Sequence, residues 1–263
     1  MIPLFDDHPT LRPAVVVWLL IIACALTYLW QASLPHAAQD RIVYSLGVIP
    51  AVLFGEAELP AQLRLVPAWA SIFTSIFLHG GWLHLIGNML YLWIFGDNVE
   101  DAMGRLRFVV FYLVCGAAAA LGQSLAAPDS HVPMVGASGA IAGVLGAYVM
   151  LFPRANVTVL IIFVIFIRFV QLPAILVLGV WFALQLMSGA MTPTEGGGVA
   201  FFAHIAGFLT GMVLIPFFKD PRVRLFAGPS SRSFAVRRPR DFRRGSVPEA
   251  GEWRRRGPWG GSG

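Results

Sequence analysis

The sequence predicts an all-α polytopic membrane protein: a six-transmembrane-helix bundle followed by a disordered, basic C-terminal tail. Three observations predict it. The 263-residue chain is 57% hydrophobic and only 13% charged, with a mean hydropathy of +0.71, beyond the range of an ordinary soluble domain. Five stretches free of Asp, Glu, Lys and Arg reach the length of a membrane helix, about 17–25 residues; they are Ala14–Trp30, Phe108–Ala127, Val135–Phe152, Leu172–Ala190 and Val199–Phe218. Charge is also segregated. From Lys219 onward twelve Lys/Arg stand against four Asp/Glu, whereas residues 1–218 carry seven against ten. The positive balance therefore belongs to the tail, and the body gives no reason to expect a nucleic-acid partner.

Residues 1–13 form a short polar N-terminus. The first apolar run follows "DDHPTLRP", acidic rather than basic at its entry, and ends in the aromatic-edged "LTYLWQASLP", so it reads as a span and not as a cleavable signal. The next loop, Gln31–Ser71, is itself apolar ("YSLGVIPAVLFGEAELP") and is expected to lie on or dip into the outer leaflet. Ile72–Gly96 is a sixth charge-free run, but His79, His84 and Asn88 interrupt it, so only part of it is expected to span. The expected spans are about 14–30, 78–96, 108–127, 135–152, 172–190 and 199–218, within a membrane domain covering 14–219. "ANVTVLIIFVIFI", Ala155–Ile167, is apolar and β-branched but too short to cross, and Arg168 closes it. It is read as an interfacial or re-entrant piece of a non-spanning loop, 154–170.

Loop charges orient the bundle. With six spans, Arg12, Arg105, Arg107, Arg154, Arg168 and the tail cations share one side, against Arg41 and Arg64 on the other. The positive-inside rule makes the first side cytoplasmic, with both termini there. Arg- and Ala-rich usage fits a bacterial inner membrane. The tail, 220–263, is rich in Arg, Pro, Gly and Ser and is expected to be disordered; it reads as a solvated topology anchor, with attraction to anionic lipid as the alternative. Cys24 and Cys115 fall in apolar runs and read as small buried side chains.

Polar side chains at membrane depth are costly and mark function by default. The candidates are His79, His84, Asn88, Ser138 and His204. His84 and Asn88 are four apart and share one helix face, where two donors suit an anion that forms during a reaction. Ser138 sits in Gly136-Ala137-Ser138-Gly139 near the start of its span. Flanking glycines admit a close-lying backbone, and a helix start leaves N–H groups free to face negative charge. The competing reading is a small-residue packing seam, for Gly139, Gly143 and Ala147 keep a four-residue period. On this motif alone the two weigh equally.

His204 lies five residues into the last span, followed by Gly207-x-x-x-Gly211, which lets two helices approach closely. Ser138 and His204 both stand near the N-terminal ends of their spans. They share a depth only if one span separates theirs, which requires 172–190 to cross and 155–167 not to. Loop charge requires the same layout, and that agreement favours catalysis over packing. A zinc site at His79, His84 and His204 lacks the H-E-x-x-H pattern and places two histidines five apart, a poor fit to one helix face; no metal or cofactor is expected. A transporter would carry ionisable groups along a path, whereas these cluster toward one side.

At these residues the chain resembles the rhomboid family of intramembrane serine proteases. Gly136-Ala137-Ser138-Gly139 resembles its G-x-S-G nucleophile motif, and His204 in "AHIAGFLTG" its base. "HGGWLHLIGNMLYLW" resembles its H-x-x-x-x-H-x-x-x-N helix, which implies His84 and Asn88 at the oxyanion site, with Gly136, and His79 nearby. "GDNVEDAMGRLRF" resembles the polar stretch that follows, implying structural roles for Glu100 and Arg105. The resemblance covers about Pro67 to Phe218. One departure is Ala70 after Trp69, where many members have Trp-Arg; it bears on anchoring of the first loop. The resemblance implies a Ser138–His204 dyad cleaving transmembrane segments, with single-pass membrane proteins as substrates and the bilayer as environment. Trp181 and Phe182 on the fifth span and the loop "TPTEGGGVAFF" are expected as moving parts of a gate. The alternative is a non-catalytic relative that binds or escorts membrane proteins.

Overall fold

The computed structural model describes residues 2–163, 166–191 and 200–228. In chain order the helices are α1 (Val15–Ser33), α2 (His36–Leu46), α3 (Pro50–Leu53), α4 (Ser71–Thr74), α5 (Trp82–Met103), α6 (Arg105–Ala126), α7 (Ser138–Leu151), α8 (Ala174–Met191) and α9 (Phe201–Phe218). The strands are β1 (Ile2–Asp6), β2 (Asn156–Phe163) and β3 (Phe166–Pro173). Each expected span has a helix. Among the described residues α1, α6 and α9 are long and apolar enough to cross a membrane, and α5 adds a fourth if taken with the preceding segment, from which it bends by 81°. α7 and α8 are apolar but shorter.

α7 sits at the centre, buried along almost its whole length. Small residues make that possible. A Cβ on Gly207 would fall 2.1 Å from the Gly139 carbonyl oxygen, and one on Gly211 1.9 Å from that of Gly143. In the reverse direction, a Cβ on Gly146 would meet the Phe208 carbonyl oxygen at 2.1 Å. α7 and α9 thus touch backbone to backbone, which bilayer packing rewards because lipid offers no competing hydrophobic drive. On its other side a Cβ on Gly143 would lie 2.4 Å from Cys115 Cβ of α6.

α1 has no capping side chain of its own. Glu100, buried on α5, supplies one across space: its carboxylate accepts from the Val16 and Val17 N–H groups at 3.1 and 2.9 Å. A carboxylate there satisfies orphan donors and faces the positive end of the helix. At the other end of α1, Gln31 donates to the His79 carbonyl at 2.9 Å and so ties α1 to the bend before α5.

The body is helical as expected, with one addition that an all-α reading leaves out. β1, β2 and β3 form an antiparallel sheet in that order. The stretch 154–170, expected as a non-spanning loop with an interfacial or re-entrant piece, lies in the antiparallel pair β2–β3, whose Val157 and Val159 are fully buried, and residues 2–6 of the expected polar N-terminus form the third strand of the sheet. β-branched Val, Thr and Ile fit a pleated half-buried surface better than a helix. Residues 220–228, expected as the start of the disordered tail, are folded. Residues up to 228 fold back, Asp220 N–H donating to the Ala102 carbonyl at 2.8 Å and Ala227 N–H to that of Leu151 at 2.9 Å. Residues 229–263 lie outside the described part.

The first loop is folded as well. α2, α3, α4 and short 3-10 turns fill it, and Val48 pairs with Met134 just ahead of α7. With Ala70 in place of arginine, other groups hold it: Arg41 donates to the Gln62 carbonyl at 2.9 Å, Arg64 pairs with Glu58 at 2.7 Å, and Thr74 donates to the Leu46 carbonyl at 2.7 Å. Both cysteines are buried free thiols.

Candidate active site

Ser138 is the first residue of α7. The helix positions its hydroxyl at the mouth of the glycine seam, facing α9 across the contact that Gly207 and Gly139 permit. His204, buried in the first turn of α9, meets it there: Nε2 lies 2.8 Å from Ser138 Oγ. α7 therefore carries both the small-residue packing seam and, at its first residue, a hydroxyl within hydrogen-bond distance of a histidine. The seam uses Gly139, Gly143 and Gly146, and Ser138 stands at its end.

The other nitrogen of His204 is also held. Nδ1 lies 2.8 Å from Oε1 of Gln185 on α8, and the Trp181 ring, one turn earlier on that helix, packs tilted against the imidazole with centroids 5.8 Å apart. Gln185 was missed in the sequence, although a polar side chain in the charge-free run 172–190 was a visible signal. Phe182 does not reach His204; it stacks on Phe208 of α9 at 4.4 Å.

Across a cavity of about 580 Å³, His84 and Asn88 face Ser138 from α5. Their i, i+4 spacing does put both on one wall. The Gly80 N–H donates to His84 Nδ1 at 3.3 Å, which leaves the ring hydrogen on Nε2. Nε2 points toward Gly136: a Cβ there would fall 2.8 Å from it. Asn88 Nδ2 is buried and has no hydrogen-bond partner among the described residues. Two unspent donors thus converge on the space in front of Ser138. Gly136 brings the segment before α7 this close by adopting φ +127°, a backbone conformation open to glycine, and its N–H is tied to the Ser75 carbonyl at 2.9 Å.

His79 is placed differently. It is fully buried behind His84, edge-on to that ring at 5.2 Å, and its Nδ1 lies 3.3 Å from the Phe77 carbonyl. It lines no part of the cavity and supports the wall from behind. The five-residue spacing puts it ahead of α5, on the bend, and not on the helix face of His84 and Asn88. Among the described residues no three His, Cys, Asp or Glu side chains gather as metal ligands. The expected loop "TPTEGGGVAFF" falls mostly on residues 192–199, outside the described residues.

Residues 67–220 match the Rhomboid domain. The chain belongs to the rhomboid family. This rhomboid is similar to the Rhomboid-like protein 11, chloroplastic, of Arabidopsis thaliana, 33% identical over 181 residues, or 66% of this chain and 62% of the relative. It is 30% identical over 191 residues to the Rhomboid protein 1, mitochondrial, of Saccharomyces cerevisiae, 66% of this chain and 52% of that one. To the Rhomboid protease GluP of Bacillus subtilis it is 40% identical over 96 residues, 36% of this chain and 18% of the relative. The chain thus spans little more than half the length of the first two. Family and apolar helices make it an integral membrane protein. Two of these relatives are named for a chloroplast and a mitochondrion, which lends no support to the bacterial inner membrane expected from composition.

Proposed function

We propose that this rhomboid is a serine endopeptidase that cleaves transmembrane segments of other membrane proteins, working through Ser138 and His204. The observation that carries the reading is the 2.8 Å approach of His204 Nε2 to Ser138 Oγ beside a cavity. Hydroxyl and imidazole at hydrogen-bond distance form an activated nucleophile: His204 takes the Ser138 proton as Oγ attacks a peptide carbonyl, then delivers it to the leaving amine. Water, activated by the same imidazole, releases the acyl group. His84 Nε2–H, Asn88 Nδ2–H and the Ser138 N–H are the donors for the oxyanion that appears at attack. No cofactor enters.

In this proposal six helices cross the bilayer with both termini cytoplasmic, and the site opens toward the opposite side, where water enters. A substrate helix must unwind locally, since its carbonyls are spent on its own hydrogen bonds. Segments with small or helix-breaking residues are therefore the ones cut. Trp181, on the cavity wall, and Phe182, stacked on α9, hold the side through which such a segment would enter. Replacing both by Ala should change the cleavage rate; an unchanged rate would remove the gate.

The deciding experiment is cleavage of a single-span reporter in liposomes by wild type, Ser138→Ala and His204→Ala, with fluorophosphonate labelling of Ser138. Only the wild type should cut, and the label should require both residues. If folded wild type and both variants behave alike, the escort reading replaces this one.

A further inference from the structure

We propose that Gln185 is a positioning residue that holds His204 in the tautomer a base requires; this rests on the reading of Ser138 and His204 given above. A neutral imidazole carries one ring hydrogen, and the hydrogen bond at one nitrogen decides where it sits. Gln185 Oε1 lies 2.8 Å from Nδ1. A carbonyl oxygen only accepts, so the hydrogen is on Nδ1, and Nε2 presents its lone pair to the Ser138 hydroxyl 2.8 Å away. The opposite tautomer would point an N–H at Oγ and take no proton from it. An amide suits the position: it orients the ring without placing a charge in an apolar bundle, where an unpaired carboxylate is costly.

α8 holds the ring twice. Trp181 and Gln185 are four residues apart, so they project from one face: the indole covers the face of His204, the amide fixes its edge. Val177 and Leu178 are buried and Phe182 stacks on Phe208, while Ile175, Leu176, Leu184 and Met187 face outward, each half-exposed; the contact of α8 with His204 runs through Trp181 and Gln185. A displacement of α8 away from α9 would take the Nδ1 partner with it. The base is therefore competent only with α8 docked, and a substrate segment that shifts α8 on entry must let it return before Ser138 attacks.

Gln185→Leu removes the acceptor at nearly constant volume, whereas Gln185→Glu keeps one. In reporter cleavage, Gln185→Leu should lower kcat roughly 10- to 100-fold, a part of the roughly 10²–10⁴-fold that a general base contributes, with KM unchanged. Gln185→Glu should stay within a few fold of wild type. Independently of turnover, ¹⁵N spectra of histidine-labelled protein should show His204 protonated at Nδ1 in wild type and lose that preference in Gln185→Leu. Equal kcat in wild type and Gln185→Leu would overturn the proposal. So would equal loss in the Leu and Glu variants, or a wild-type His204 protonated at Nε2. If instead Ser138→Ala cuts as well as wild type, the protease reading falls, and the spectra still decide whether Gln185 sets the tautomer.

Discussion

Position 136 has to satisfy two demands at once, a left-handed φ and a van der Waals gap to His84 too narrow for a methyl group. Gly136→Ala should therefore push His84 off the cavity wall and cost turnover more than it costs melting temperature; equal losses in both would mean a folding defect. If His84 and Asn88 serve the oxyanion as proposed, His84→Ala and Asn88→Ala should each lower kcat about 100- to 1,000-fold with KM nearly constant. A change confined to KM would assign them to substrate binding. His84 and Asn88 were legible as candidates because a polar group in a charge-free apolar run is costly and needs a partner or a role. His79 carried the same signal, yet it lies on the bend before α5 and its ring stays behind His84. Gln185 carried it too and was passed over, since a neutral amide outside any motif attracts less notice than a histidine. Its role depends on where α8 docks, which no local pattern encodes.

At the scale of elements, the α7–α9 seam is where stability and chemistry meet. Gly211→Val would drive a side chain into the Gly143 carbonyl, and overpacking of this kind costs about 1–3 kcal/mol or more. Because Ser138 and His204 are aligned by the same seam, thermal unfolding in detergent should begin lower and fluorophosphonate labelling should slow in parallel. Unchanged melting would show that the helices part easily. The seam was half legible. The sequence period pointed to Gly139, Gly143 and Ala147, whereas the contact uses Gly146, for a helix of 3.6 residues per turn returns to the same face at seven rather than eight. The hairpin was not legible as such. Its composition is β-like, but a strand is a matter of pairing: β3 pairs with one edge of β2 locally, whereas the other edge is covered by Ile2–Asp6, some 150 residues away in the chain.

For the whole molecule, the sheet gathers a polar network opposite the site's mouth. Tyr148 donates to the Asp6 carboxylate, Asn98 Nδ2 donates to it at 3.0 Å, and His8 packs on Phe152 with Nδ1 2.9 Å from Asn98 Oδ1. Burial, aided by the charge of Asp7 and opposed by the Tyr148 hydrogen bond, pushes the Asp6 carboxyl up to about 6. A folded value above the ordinary one, about 3.9, means that folding favours the protonated acid. That contribution is complete below the ordinary value and is lost as pH rises through 6. The melting temperature of wild type should fall between about pH 4 and 6 more than that of Asp6→Asn, whose amide does not ionise; parallel curves would show that the network leaves Asp6 free to ionise. β1 has a consequence for biogenesis as well. It leaves the ribosome before α1, but the strand it pairs with follows only after α1, α5, α6 and α7. Until then a short apolar ribbon must wait unpaired while the bundle inserts. A fusion that delays or blocks its return would leave a membrane-inserted protein with an open sheet edge, available to another chain.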